Sequence, residues 1–198
     1  MAVPSPMLSS DKSELRAEGL KRRRDFARSL DDATRASLED ALAQLVIPHL
    51  IGARVVAAYH PLKDEISPAG ILAGLGAGQR HVLPWFAHPD AQFLWREGPA
   101  REPSPWGVAQ PSTEAEPLAP DVVLVPIVLA DRHGVRIGHG KGHYDRALSH
   151  LKGSGHPVTT IGLCWPDQLV DGPLPADPWD MTLDAIATPG EWVDCRAA

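Results

Sequence analysis

Apolar positions recur at helical spacing twice within the first fifty residues. Leu15, Leu20 and Phe26 stand among many charges, and Leu38, Ala41, Leu42 and Leu45 follow at intervals of three, one and three. Such spacing predicts helices with one buried face. Asp11, with Glu14 three residues later, resembles a capping box, and the first helix is predicted to run to about Leu30. Asp31 and Asp32 cap the second, with Pro48 near its end. The pattern then shortens. Ala53–Tyr59, His81–Pro84, Val122–Pro126, Val158–Leu163 and Leu183–Ala187 are brief, mostly apolar runs rich in β-formers, which read as buried strands. Ile66–Leu75 reads as a short helix with Pro68 in its first turn. Residues 85–120 mix prolines with tryptophan and phenylalanine and predict irregular structure with a short strand near Phe93–Trp95. A glycine-rich loop from Asp131 to Gly142 precedes a helix to about Leu151. Strands alternating with helices imply a three-layer α/β/α architecture with a mainly parallel central sheet. It is expected as a single domain over residues 11–198, behind a flexible tail at residues 1–10 rich in Pro and Ser.

Composition narrows the function classes. The chain has 198 residues, 22% charged, with a formal net charge of −6, which leaves no broad basic surface for nucleic acid. The dense basic stretch Lys21–Arg24 reads as a solvated helix face. Cys164 and Cys195 have no metal-ligand spacing and suit a reducing compartment. Met1–Met7 lacks a charged segment followed by an apolar one, and no apolar run approaches the ~20 residues of a membrane span. A cytoplasmic protein acting on small molecules, as a monomer and without nucleic-acid or membrane partners, is the expectation.

The segment with the most chemistry runs Gly134-Val-Arg136-Ile137-Gly138-His139-Gly140-Lys141-Gly142-His143-Tyr144-Asp145-Arg146. Glycines at alternate positions let backbone approach a ligand closely, and their N–H groups can cluster around an anion. The following helix would turn its positive end to the same place. Lys141 and Arg136 add full charges, and Asp145 could hold a divalent cation against phosphate oxygens. The P-loop pattern fails, because no Gly lies five residues before Gly140 and no Ser or Thr follows Lys141; the dinucleotide fingerprint fails at His143. A plain glycine loop capping a helix is the other reading. His139 and His143 have no third metal ligand nearby.

The loop and the strand before it resemble the signature of the 5-formyltetrahydrofolate cyclo-ligase family. The matching residues are Asp121–Pro126, Asp131-Arg-His-Gly134 and Arg136–Arg146. Lys12-Ser-Glu-Leu-Arg16, Tyr59–Ile66, Ile161-Gly-Leu163 with Gln168, Leu174-Pro175 and Asp180–Asp184 resemble further family elements in the same order, covering roughly residues 12–190. The resemblance implies an enzyme that uses ATP and Mg²⁺ to phosphorylate the formyl oxygen of 5-formyltetrahydrofolate. N10 then attacks, and loss of phosphate yields 5,10-methenyltetrahydrofolate.

By the same resemblance, Lys12 and Arg16 would contact ATP phosphates, though alone they read as an exposed basic face. Arg136, Ile137, Gly138, His139, Gly140, Lys141, Gly142, His143 and Tyr144 would wrap the triphosphate, with Lys141 and Arg136 acting on the developing charge. His139 to His143 would also border the folate. Asp145 and Asp184 would bind Mg²⁺, with a surface carboxylate as the other reading of Asp184. Glu65 would accept from the adjacent N–H donors of the pterin, in a pocket shared with Tyr59 and His60. Trp106 is a candidate to stack on the folate, while Trp85, Trp95, Trp165 and Trp179 read as packing or loop residues. Departures from the family pattern are His139 and His143 where tyrosine is frequent, Gln110-Pro111 for Glu-Pro, and Trp179-Asp180 for His-Asp. The competing readings are a diverged paralogue, a non-catalytic nucleotide- or folate-binding protein of the same fold, or a sugar-phosphate or CoA-ester enzyme of related layout.

Overall fold

Helix α1 (Lys12–Ser29) begins where Asp11 accepts the Ser13 N–H at 2.6 Å, and α2 (Asp32–Val46) where Asp31 accepts the Thr34 N–H at 2.7 Å. Each cap satisfies a backbone donor that the helix cannot. α2 tightens into a 3₁₀ turn at Ile47–Leu50, with Pro48 in its first positions. The structure, a computed structural model, describes residues 11–89 and 91–197, so the expected tail at residues 1–10 lies outside it.

The strands are β1 (Val55–Ala57), β2 (Arg80–Trp85), β3 (Leu94–Glu97), β4 (Glu102–Pro103), β5 (Ala109–Gln110), β6 (Val122–Pro126), β7 (Leu129–Asp131), β8 (Arg136–Ile137), β9 (Thr159–Leu163), β10 (Leu169–Val170), β11 (Ala185–Thr188) and β12 (Glu191–Asp194). Between them lie α3 (Ala69–Ala73) and α4 (His143–Gly153). A seven-stranded sheet runs β12-β11-β9-β6-β1-β2-β3. Its five inner strands are parallel, and both edge strands are antiparallel. The α/β fold with a mainly parallel sheet is as expected.

Alternation along β6 shows how the layers form. Val122 and Leu124 join Leu42, Val46 and Ile71 of α2 and α3, while Val123 and Val125 join Ala147, Leu148 and Leu151 of α4 on the opposite face. A strand buried on both faces needs apolar residues at every position, and each such side chain contributes roughly 1.5–3 kcal/mol. α1 lies against a smaller sheet, β10-β7-β8, through Leu15, Leu129 and Ile137. Gly19 permits this approach, since a Cβ there would sit 2.7 Å from the Val128 carbonyl oxygen.

Several expectations change. The helix predicted at 66–75 forms only over Ala69–Ala73, because Pro68 stands at its cap. The strand predicted at 53–59 is held to Val55–Ala57. The loop after Asp131 contains β8, and β12 adds an edge strand whose Trp192 and Val193 are half-buried. The stretch 85–120 holds β3 and the small β4–β5 pair. Within Lys21–Arg24, Arg23 is buried at 5% exposure, which corrects the solvated-face reading for that residue.

Candidate active site

Numbering the parallel strands along the chain, their order across the sheet is 2-1-3-4-5, so the direction of winding reverses between β1 and β6. In open α/β sheets the crevice outside the carboxyl ends at such a reversal is the ligand site. Here Tyr59 and His60 leave β1, Pro126 ends β6, and a cleft of about 1210 Å³ opens above them. The glycine loop forms one wall. Asp131, almost fully buried, holds the turn before it, accepting the His133 and Val135 N–H groups at 2.9 and 3.0 Å and the Leu174 N–H at 2.8 Å.

Gly140 and Gly142 have φ of +85° and +64°, a region costly for other residues, and Gly142 caps α4 without any side-chain acceptor. The first N–H groups of α4 and the Lys141 ammonium therefore share one side of the cleft. Lys141 Nζ lies 5.3 Å from the centre of the Trp106 ring, which is 40% exposed. His143 packs edge-on to Phe86 and Trp106. Arg146 Nη2 lies 3.0 Å from His143 Nδ1. Arginine can only donate, so Nδ1 accepts and Nε2 carries the proton. That Nε2 is buried without a hydrogen-bond partner among the described residues. Burial, then the charges of Arg146 and Lys141, lower the His143 pKa and favour this neutral form. Ile137, Gly138, His139 and Tyr144 also line the cleft, with the Tyr144 ring packed edge-on to Phe93.

The cations expected at phosphate are held to different degrees. Arg16 Nε donates to the Gly138 carbonyl at 2.8 Å, fastening α1 to the loop. Lys12 Nζ pairs with Asp177 at 2.6 Å and also with Asp180. Burial pushes Lys12 down, but the two aspartates outweigh it and raise its pKa. Arg136 lines the cleft yet its side chain is only 6% exposed, donating to Asp145 Oδ1 at 2.6 Å and to the Met181 carbonyl. The Met181 N–H also reaches Asp145 Oδ1, at 3.2 Å.

Glu65 and Tyr59 form the inner end of the cleft. Glu65 Oε1 accepts from Arg23 at 2.9 Å and lies 3.4 Å from His139 Nε2, while Oε2 accepts the Leu62 N–H at 2.8 Å. Tyr59 gives its hydroxyl to the Ile66 carbonyl at 2.7 Å, so its ring and not its O–H is presented to the cleft. Burial raises its pKa well above the ordinary tyrosine value.

Asp184 is not brought to the cleft. Its Oδ2 accepts the Thr160 N–H and hydroxyl at 2.8 and 2.7 Å, at the amino end of β11. Among the described residues no group of three or more His, Cys, Asp or Glu side chains could hold a metal ion. The Asp145–Asp184 pair expected for Mg²⁺ is therefore not assembled as a cage.

Sequence reading missed Arg23, Asp177 and the pairing role of Asp180. A signal for Arg23 was present: Lys12, Arg16, Gly19 and Arg23 follow at intervals of four, three and four, one face of α1. Gln110, where Glu is frequent, accepts the Phe86 N–H at 2.9 Å and turns its amide nitrogen to the Phe86 carbonyl at 3.4 Å. A carboxylate could serve only the first of these.

A reversal-point cleft, walled by a glycine loop that opens into a helix, defines an α/β protein whose candidate ligand site lies above the carboxyl ends of its parallel strands. The chain matches the 5-formyltetrahydrofolate cyclo-ligase family over residues 8–189 and belongs to that family of ligases. It is 31% identical to a 5-formyltetrahydrofolate cyclo-ligase of Mycolicibacterium smegmatis, across 92% of this chain and 96% of that one. The 5,10-methenyltetrahydrofolate synthetase of Aquifex aeolicus superposes with a TM-score of 0.77 at 26% identity, covering 93% of each chain. That of Mycoplasma pneumoniae gives 0.69 at 26% identity, covering 90% of this chain and 99% of that one. No helix among the described residues is long and apolar enough to cross a membrane.

Proposed function

We propose that the chain converts 5-formyltetrahydrofolate to 5,10-methenyltetrahydrofolate, consuming ATP with Mg²⁺ and releasing ADP and phosphate, as a cytoplasmic monomer. One observation carries this reading: the cleft joins a helix start and Lys141, which has no ion-pair partner among the described residues, to a buried carboxylate, Glu65, through His139 of the same loop. Its volume of about 1210 Å³ exceeds the roughly 300–1,000 Å³ of an ordinary single-ligand pocket, which suits two substrates side by side.

The resemblance to the family implies the chemistry. The formamide oxygen attacks the γ-phosphorus, and the bond to the β-bridging oxygen breaks to release ADP. N10 then adds to the activated carbon, its proton is lost, and phosphate departs with the former formyl oxygen. Negative charge gathers on the transferred phosphoryl oxygens, where the loop N–H groups and Lys141 oppose it. Arg136 acts through Asp145 and the Met181 carbonyl, holding loop and helix start in register. The His143 ring borders the same wall of the cleft, packed against Phe86 and Trp106. Trp106 offers a ring face beside Lys141 for stacking.

The donor set suits a Mg²⁺ that arrives with the triphosphate, because this ion favours one or two carboxylates plus phosphates and water over an all-protein cage. Asp145, whose hydrogen bonds among the described residues fall on Oδ1, would hold it; bound there, the ion would neutralise phosphate charge. The test follows methenyl absorbance with 5-formyltetrahydrofolate, ATP and Mg²⁺, omitting each in turn. Product only in the complete mixture is expected. No product from folded protein that binds ATP would turn the assignment to a diverged paralogue.

A further inference from the structure

Arg23 belongs to a run of sequence that reads as solvated charge, yet it and Glu65 are each 5% exposed. Their ion pair is 2.9 Å long. A buried pair must offset the desolvation of both charges, and apolar replacements are often no less stable. Stability alone therefore gives weak reason for a charge pair here. Its location gives a better one. Glu65 faces the cleft, while Arg23 stands behind it on α1, outside the cleft lining.

An ionised carboxylate offers about four acceptor positions. Arg23 and the Leu62 N–H hold one position on each oxygen from the protein side. His139 is the loosely held partner, at 3.4 Å with a side chain 43% exposed. A ligand with two adjacent N–H donors can take the position of His139 on Oε1 and the remaining one on Oε2, while Arg23 and Leu62 stay in place.

We propose that Arg23 is a positioning residue of the folate pocket: from behind the cleft it keeps Glu65 ionised and turned so that both oxygens accept from the pterin edge. This rests on the functional reading given above. The groups facing Glu65 are Arg23 from α1, His139 from the glycine loop, Tyr59 after β1, Tyr144 of α4 and the Leu62 N–H of its own turn. Burial pushes the Glu65 carboxyl up, and His139, Leu62 and Arg23 together bring it below its ordinary 4.5. Without Arg23 the burial is less opposed, so Glu65 would take up its proton at higher pH. Folate binding would then weaken as pH falls through that raised value.

The experiment measures KM for both substrates and equilibrium binding of 5-formyltetrahydrofolate between about pH 5.5 and 8.5, for wild type, Arg23→Gln and Arg23→Lys. Arg23→Gln is expected to raise the folate KM and Kd roughly tenfold, more so at the acid end, with the ATP KM within about twofold. Arg23→Lys, which keeps the charge, should restore most of the affinity and a flat pH profile. Folate constants within about twofold of wild type across the range, or equal losses for ATP and folate, would overturn the role. If Arg23→Gln fails to melt cooperatively, the lysine variant decides, and ATP and folate constants moving together in it would also overturn the role. Wild type that neither binds 5-formyltetrahydrofolate nor makes product would remove the functional reading and this inference with it. An active wild type with an indifferent Arg23→Gln would remove the inference alone.

Discussion

At the amino ends of the strands, aspartates are turned back onto the protein. Asp121 Oδ2 accepts the Arg54 and Val55 N–H groups at 2.7 and 2.9 Å, and Asp184 Oδ2 accepts both donors of Thr160. Above the carboxyl ends, Asp145, Asp177 and Asp180 instead pair with cations that line the cleft. One residue type serves two purposes because the parallel sheet has two unlike ends. At the amino end a carboxylate can satisfy strand-edge N–H groups and tie neighbouring segments. At the carboxyl end the connections splay apart at the winding reversal, leaving charged side chains facing a solvent-filled crevice.

Four variants sharpen that contrast. Lys141→Ala removes a cation of the cleft that no aspartate among the described residues neutralises, and kcat should fall by roughly 10²–10³-fold while the melting temperature holds. Unchanged turnover would exclude Lys141 from the mechanism. Asp184→Ala should act in the opposite way, leaving the Thr160 donors unpaired at a cost of about 1–3 kcal/mol in denaturant unfolding, with kcat retained in the folded fraction. A shifted Mg²⁺ titration without loss of stability would return Asp184 to the cleft. Asp145→Asn should raise the Mg²⁺ concentration needed for half-maximal rate by roughly tenfold, about 1.4 kcal/mol. An identical titration would leave Asp145 only its pairing with Arg136.

His143 gives the smallest effect. Its pKa is lowered from the ordinary 6.5, so the unfolded chain takes up the proton first. The resulting stability is complete above 6.5 and is lost as pH falls through the lowered folded value. His143→Gln should therefore flatten the decline of Tm below neutrality. A slope identical to wild type would assign that decline to other groups.

Where a local rule acts on a few neighbouring residues, the sequence was readable. Asp11 and Asp31 announce their helices because a cap bonds two or three residues onward. Val122–Pro126 announces a doubly covered strand, and the glycines before His143 announce a backbone that can close around an anion. The family motif carried Lys141 and Glu65 to the cleft in the same way. Edge strands such as β12 escaped because a half-buried four-residue segment has no periodicity of its own and gains its hydrogen bonds only from β11.

The sequence by itself determined the α/β class, the glycine-rich loop and the family, since each depends on order and spacing along the chain. The tertiary structure alone decided which charges meet. Arg23 and Glu65 are 42 residues apart, and Lys12 and Asp180 are 168 apart. Pairing of that kind depends on how α1 crosses the sheet ends, and burial then fixes which carboxylates buttress strands and which face the cleft.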